Sequence, residues 1–372
     1  MTAKPKLGIG LIGSGFMGMT HAFGFATAER VFDLPFELSF ECLADATDEM
    51  AERARARFGF ARATGDWRRL LADPAIDIID ITAPNAFHKE MSLAAIAAGK
   101  HVYCEKPLAP LASDALEMMR AADAAGVKTA VGFNYLMNPM LRQARDMIRD
   151  GELGEIRTIR CIHAEDYMVD SSEPVTWRHD PVGGGVLADL GSHALATAEY
   201  LLGPIAEVLG DLHTPIRQRP GRDGAPTTIQ VDDVARAFVR FENGASGTIE
   251  ANWLATGRKM QHDFEVYGET GGLYLTQERL NELHYYRRAD EEGRHGFRTI
   301  LAGPSQEPYG QFCVAPGHQL GFNDLKAVEI EGFLRAIAGG ASETATFATG
   351  WRIQHLVETI QASARDCAWK KV

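Results

Sequence analysis

Gly13, Gly15 and Gly18 punctuate the run GLIGSGFMG as GxGxxG, directly after the apolar stretch Leu7 to Ile12. A backbone without side chains can turn tightly there and approach a diphosphate, while N–H groups opening a helix at Phe16 and Met17 meet its charge. That chemistry is dinucleotide binding. A glycine turn with no ligand is the competing reading, and the succession of strand, turn and helix units that follows favours the first. Asp45 ends the next apolar stretch, where a carboxylate accepts hydrogen bonds from adenosine ribose hydroxyls and repels the 2′-phosphate of NADP. NAD is therefore the expected cofactor. Asp45 lies further from the glycines than the usual ~20 residues, because Glu29 to Glu37 enlarges the connection; a solvated turn aspartate is the alternative.

Oxidation of an alcohol needs a base for the hydroxyl proton and positive charge beside the oxygen as it becomes a carbonyl. Lys106, in Cys104-Glu105-Lys106-Pro107, follows an apolar strand and so falls at the carboxyl edge where open α/β sheets bind ligands. Alone it reads as one of many surface lysines. The stretch Gly183-Gly184-Gly185-Val186-Leu187-Ala188-Asp189-Leu190-Gly191-Ser192-His193 sets an acid four residues before an imidazole. On a helix the two share a face, and a carboxylate there favours the protonated imidazole and fixes its orientation. An ordinary helix-surface pair is the alternative.

The elements that must position these groups alternate. Strands are expected at Leu7 to Ile12, Leu38 to Ala44, Ile76 to Thr82 as the third, His101 to Cys104 and Lys128 to Gly132. Helices fall between them around Met17 to Ala28, up to Phe58, at Lys89 to Ala98 and at Ser113 to Ala125. Parallel neighbours need a crossover long enough to be a helix, so this is a doubly wound parallel sheet. After about Asn138 the pattern becomes period-two, at Ile156 to His163, Val234 to Phe241, Ala245 to Trp253, Asp263 to Tyr267, Gly272 to Thr276 and Leu283 to Tyr286. These read as one open, mainly antiparallel sheet. Asn243-Gly244 is expected to supply the positive φ angles of a two-residue hairpin turn and Gly271-Gly272 another reversal. Further helices are expected at Leu141 to Arg149, Val186 to Leu202, Asp324 to Ala338 and Gly350 to Ala364, and Arg217 to Thr228 is the most loop-like stretch.

The 372 residues allow two domains, a Rossmann domain over 1–137 and an α+β domain over 138–372. With 38 basic against 50 acidic side chains, the net charge of -12 repels nucleic acid and offers no general attraction to anionic lipid. The five cysteines, Cys42, Cys104, Cys161, Cys313 and Cys367, form no CxxC pair, so buried free thiols are expected, with neither zinc nor disulfides. The first apolar stretch is too short and glycine-broken for a signal or membrane segment, and a cytoplasmic protein is expected.

Taken together, the residues resemble the glucose-fructose oxidoreductase, inositol dehydrogenase and rhizopine-catabolism (Gfo/Idh/MocA) dehydrogenases over most of the chain. The resemblance rests on the GxGxxG, on Thr82-Ala83-Pro84-Asn85 followed by His88, on Glu105-Lys106-Pro107, on Gly132-Phe133-Asn134 and on the GGG to DLGSH stretch. It implies that Lys106 polarises the substrate oxygen, that His193 is the acid/base and that Asp189 supports both. It also implies that Pro84, Asn85 and Glu105 line the nicotinamide region, that Thr82, His88 and Lys106 contact the cofactor, and that the second domain binds the substrate and joins members as dimers or tetramers.

Inositol-type members carry an aspartate three residues after the histidine, where this chain has Ala196. The second half is more similar to levoglucosan dehydrogenase-type members, through Asn134-Tyr135, Asp166-Tyr167, Thr176-Trp177-Arg178, Phe297-Arg298-Thr299 and Pro308-Tyr309-Gly310. That resemblance implies cofactor contacts at Asn134, Trp177 and Arg178. It implies sugar contacts at Lys106, Asn134, Tyr135, Asp166, Trp177, Asp189, His193 and Tyr309; core packing of the aromatics is the alternative. The implied activity is NAD-dependent oxidation of a secondary hydroxyl of a sugar or cyclitol, with no metal. An NAD-dependent glycoside hydrolase using transient oxidation and a non-catalytic sensor are the rival classes.

Overall fold

The computed structural model describes residues 4–372. The chain forms two compact units, one of the described residues up to Met137 with Gly321–Arg352, the other of Asn138–Leu320 with Ile353–Val372. A single division at 137/138 therefore misses a return of the chain to the first unit.

In that unit β1 (Lys6–Ile12), β2 (Glu37–Ala44), β3 (Arg62–Thr64), β4 (Ile78–Ile81), β5 (His101–Cys104) and β6 (Thr129–Val131) form one sheet. The order is β3-β2-β1-β4-β5-β6, with every neighbour parallel. Helices on both faces explain why β1 reads as an unbroken apolar run, buried from Leu7 to Ile12. The order reverses direction between β1 and β4, which opens a crevice at the carboxyl ends of those strands. The strand at β4, expected as the third, is the fourth: β3 is an edge strand of three residues, too short to show a period.

The returning segment is the helix Phe322–Ile337, which packs on the helix Phe16–Val31. Gly24 permits the approach, since a Cβ there would stand 2.7 Å from Ile330 Cδ1 and 3.0 Å from Lys326 Cγ.

The second unit holds β7 (Ile156–Ala164), β8 (Ile205–His213), a small ribbon of β9 (Gln218–Pro220) and β10 (Pro226–Thr228), then β11 (Val234–Phe241) and β12 (Ser246–Asn252). It continues with β13 (Gln261–Gly268), β14 (Gly271–Thr276), β15 (Glu282–Arg287), β16 (Arg298–Leu301) and β17 (Lys370–Lys371). Nine strands make one sheet, β16-β15-β14-β13-β7-β12-β11-β8-β17. All its neighbours are antiparallel except β7 and β12, which run parallel. Alternation reveals which face a strand buries, as in the buried Ala235, Ala237, Val239 and Phe241 of β11, and says nothing of its neighbour's direction. Strand β8 escapes the pattern because its apolar residues, Ile205, Ala206, Val208, Leu209 and Leu212, do not alternate, and the ribbon, inside the stretch read as loop, because its strands are only three residues long.

Turn details differ as well. Between β11 and β12 only Gly244 takes a positive φ, 90°, and the Asn243 side chain instead accepts the Ala245 N–H at 3.0 Å. A three-residue loop closed by a left-handed glycine replaces the two-residue turn. Gly271 and Gly272 lie inside β14, the reversal being at Glu269 and Thr270. The helix expected at Val186 to Leu202 is a π-helical turn, Leu187–Gly191, followed by an α-helix, Ser192–Leu202. Of the free cysteines, Cys42, Cys104 and Cys161 are buried, but Cys313 is half-buried and Cys367 exposed.

Candidate active site

At the end of β1, Gly13 has φ 99°, and a Cβ there would lie 2.9 Å from the Thr82 carbonyl carbon. A Cβ on Gly18 would collide with the Gly13 carbonyl oxygen. Thr82 Oγ1 donates to the carbonyls of Ile12 and Gly13 at 3.2 and 3.0 Å, tying the end of β4 to this turn. The helix that starts at Phe16 has no side-chain cap at Gly15 and no acidic residue in its first turn. Its leading N–H groups are the donors a diphosphate requires. Phe16 is exposed and Met17 half-buried beside them.

Asp45 meets the same turn. Its Oδ2 accepts the Ser14 N–H at 2.9 Å and the Ser14 hydroxyl, and its Oδ1 accepts the Ala46 N–H at 2.6 Å. The long separation in sequence disappears because β1 and β2 are neighbours, with Ile12 opposite Ala44. Asn134 is 3% exposed and its Nδ2 has no hydrogen-bond partner, a buried donor that a ligand would satisfy. These residues fit an NAD molecule laid over the turn.

Two loops complete this half. Pro84 is exposed and Asn85, half-buried, opens the short 3-10 turn Asn85–Phe87. His88, expected at the cofactor, is fully buried instead. Its ring nitrogens stand 2.9 Å from the Ala83 and Pro107 carbonyls, so it fastens the two loops together from beneath. Burial holds its imidazole below the ordinary pKa despite those carbonyls. Glu105 is also buried: Oε2 accepts the Lys106 N–H at 3.0 Å, and Oε1 is 2.8 Å from His21 Nε2 and 3.0 Å from Lys326 Nζ. Its carboxylate thus anchors the backbone of half-buried Lys106. Tyr135 is half-buried, its ring 6.0 Å from Phe322.

In the second unit, Asp189 sits in the π turn, where the backbone is wider than the α-helical spacing that pairs it with His193 by sequence. Its Oδ2 accepts hydrogen bonds from Tyr167 Oη at 2.8 Å and Arg178 Nε at 2.7 Å. The Arg178 guanidinium lies over the rings of Trp177 and Tyr167, at 4.4 and 5.3 Å. Trp177 is exposed. His193 is 6% exposed, in the first turn of its helix, with His163 of β7 and His262 of β13 at ring-centroid distances of 5.5 and 6.1 Å.

Two expected sugar contacts are otherwise engaged. Asp166 is paired with Lys259 Nζ at 2.7 Å and accepts the Gly257 N–H at 3.0 Å, which pins a loop. Tyr309 is fully buried with its hydroxyl against the carbonyls of Ala315 and His318, a core residue. Sequence reasoning did not place His21, His163, His262, Tyr167 or Lys326 beside the candidate residues, where the structure puts them. Alternation along β7 could have turned His163 inward, whereas a lone lysine on an amphipathic helix gives no sign of burial. Among the described residues no group of His, Cys, Asp and Glu could hold a metal ion, and no helix is long and apolar enough to cross a membrane.

The profile described as the oxidoreductase family, NAD-binding Rossmann fold, matches residues 7–133, and that of the GFO/IDH/MocA C-terminal domain matches residues 141–274. The chain belongs to the GFO/IDH/MocA family. It is 35% identical to the levoglucosan dehydrogenase of Pseudarthrobacter phenanthrenivorans, over 99% of this chain and 98% of the relative. An NAD-binding oxidoreductase of Klebsiella pneumoniae superposes with a TM-score of 0.95 at 41% identity, covering 99% of both chains. The complex of levoglucosan dehydrogenase with NADH and levoglucosan gives 0.95 at 35%, again over 99% of both. As a GFO/IDH/MocA protein the chain is an NAD-dependent oxidoreductase of the sugar and cyclitol dehydrogenase type.

Proposed function

We propose that this enzyme oxidises a secondary hydroxyl of a sugar, anhydrosugar, glycoside or cyclitol to a ketone, or runs the reverse reaction. The observation that carries the reading is His193, an imidazole buried just after a carboxylate, Asp189, that Tyr167 and Arg178 hold in place. When bound, NAD supplies the hydride acceptor. His193 takes the hydroxyl proton, and the Lys106 ammonium stabilises negative charge on the oxygen. Asp189 supports them electrostatically, while Glu105 acts from behind by fixing the Lys106 backbone. Pro84 and Asn85 frame the nicotinamide, Asn134 offers its unpartnered amide, and Trp177 and Tyr135 give faces for a sugar ring.

Likeness to levoglucosan dehydrogenase over nearly the whole chain supports an anhydrosugar or glycoside, and Ala196 speaks against an inositol. In this reading the second unit binds the sugar and associates into a homodimer or homotetramer through its sheet, in the cytoplasm. Hexoses, anhydrosugars, glycosides and inositols, screened by NADH absorbance with NADP in parallel, test the substrate. Lys106→Met and His193→Ala should each cut kcat by ~100-fold or more while NADH still binds. Near-normal turnover in either variant would overturn that residue's assignment.

A further inference from the structure

Arg219, in strand β9 of the small ribbon, is 2% exposed although its side chain is always charged. A guanidinium that far from water is unfavourable unless its donors are used. Its Nη1 donates to the Asp170 carbonyl at 2.6 Å and its Nη2 to the Met168 carbonyl, so one planar fork grips two carbonyls of a single segment. Asp170 closes that segment into a turn, its Oδ1 accepting the Ser172 N–H at 2.8 Å and the Ser172 hydroxyl at 2.6 Å. The residue just before the grip is Tyr167, whose hydroxyl donates to Asp189.

The next residue of β9 holds a second segment. The Pro220 carbonyl accepts the Val175 N–H at 2.9 Å. Three residues further on, Arg178 donates from Nε to the same Asp189 oxygen that Tyr167 reaches. The short turn between Val175 and Arg178 is braced by His179, whose Nδ1 accepts the Thr176 N–H at 3.1 Å and must therefore carry no proton. Burial and then the charge of Arg219 hold the His179 imidazole below the ordinary histidine range, which favours the neutral ring this bond requires.

We infer that Arg219 is a positioning residue for the oxidation, acting on Asp189 through Tyr167, and that strand β9 is the brace against which Tyr167 and Arg178 are set. The inference rests on the placing of Asp189 in the catalytic group. A two-stranded ribbon of three-residue strands has little stability of its own, so its hold on the body comes from bonds such as these. The grip works in both directions: it fixes the ribbon, and it fixes the backbone on either side of Val169. A tyrosine hydroxyl aimed at a carboxylate keeps its geometry only if the backbone next to it is fixed.

Arg219→Lys keeps the charge beside His179 but replaces the fork with a single ammonium, which cannot span both carbonyls in the same way. Rates are measured with NAD and levoglucosan, or with the sugar oxidised fastest in the screen, and kcat is taken per NADH-binding site so that a folding loss does not count as a catalytic one. Tyr167→Phe and Arg219→Lys should each lower kcat about 5-fold or more with NADH affinity unchanged, and Arg219→Met should lower it further than Arg219→Lys. Because the two side chains act in series, the double variant Tyr167→Phe with Arg219→Lys should fall no more than about 2-fold below the less active single variant. A merely structural Arg219 would lower the unfolding temperature and leave kcat per site intact, or its loss would multiply with that of Tyr167→Phe. Either result overturns the inference. So does the parent kcat in Tyr167→Phe, which removes one hydroxyl from a part-exposed ring and should fold whatever the Arg219 variants do. These outcomes leave the Asp189 assignment standing, whereas full turnover in Asp189→Asn would remove that assignment and the inference with it.

Discussion

Lys326 Nζ and Glu105 Oε1 meet at 3.0 Å in the interior of the first unit, 221 positions apart in the chain. The same ammonium lies 2.7 Å from Glu329 Oε2 and 2.9 Å from Tyr103 Oη, and the tyrosine hydroxyl donates to Glu329. His21 joins from the opposite side, 2.8 Å from Glu105 and 2.8 Å from Asp80. Burial alone would drive the Glu105 carboxyl upward, but Lys326 and then His21 hold it far below the usual carboxylate range. For His21 burial is the largest influence and opposes the charge, yet Asp80 and the hydrogen bonds to Asp80 and Glu105 together leave the pKa raised. The network thus keeps an anion beneath Lys106 at every pH where the protein would work.

Lys326→Met would leave Glu105 and Glu329 buried without their cation. Removing one partner of a buried ion pair costs about 3–5 kcal/mol. Equilibrium unfolding in urea should show a loss of that order at pH 7. In the parent protein the Glu105 contribution is present above the ordinary carboxylate pKa and lost as pH falls, so the gap between parent and variant should narrow in acid.

Gly15 and Gly18 separate cofactor binding from folding. A Cβ on Gly15 meets nothing within 4 Å, whereas one on Gly18 collides with the Gly13 carbonyl. Gly15→Ala should therefore unfold within about 1 kcal/mol of the parent yet bind NADH at least ~10-fold more weakly, because the methyl occupies space the diphosphate needs. Gly18→Ala should lose both stability and binding. Thermal unfolding and NADH fluorescence titration read the two effects.

Asp45 is the predicted discriminator between dinucleotides. Asp45→Ala removes ribose acceptors and the charge that repels a 2′-phosphate. NADH affinity should fall by about 1.5–3 kcal/mol, and the ratio of NADH to NADPH affinity should shrink. A ratio unchanged from the parent would show that Asp45 does not select the cofactor.

Asp232 makes the stability of the loop before the π turn depend on pH. Its Oδ2 accepts the Leu187 N–H at 2.8 Å, but burial dominates and pushes its carboxyl up to about 6. A carboxyl raised in the folded state contributes stability fully present below ~4 and lost as pH rises through about 6. The change is worth about 3 kcal/mol. Asp232→Asn has no such titration, so its stability relative to the parent should improve between pH ~4.5 and ~7.5. A difference that stays constant over that range would contradict the buried neutral acid.

The sequence by itself determined the parallel sheet and the dinucleotide turn, and it singled out Lys106, Asp189 and His193 as candidates, because these are written in local terms. Apolar runs specify strands buried on both faces, glycine spacing specifies a turn, and a carboxylate four residues before a histidine is visible as letters. Tertiary structure alone decided the rest. It brought Asp45 to Ser14 across adjacent strands, set β7 parallel to β12, and returned Lys326 to Glu105. It also withdrew Tyr309 and His88 into the interior and stacked His262 on His163. The reason is physical: periodicity records which side of an element avoids water, but not which distant side chain waits on that side. Only the folded chain pairs a buried charge or a buried ring with the partner that makes its burial tolerable.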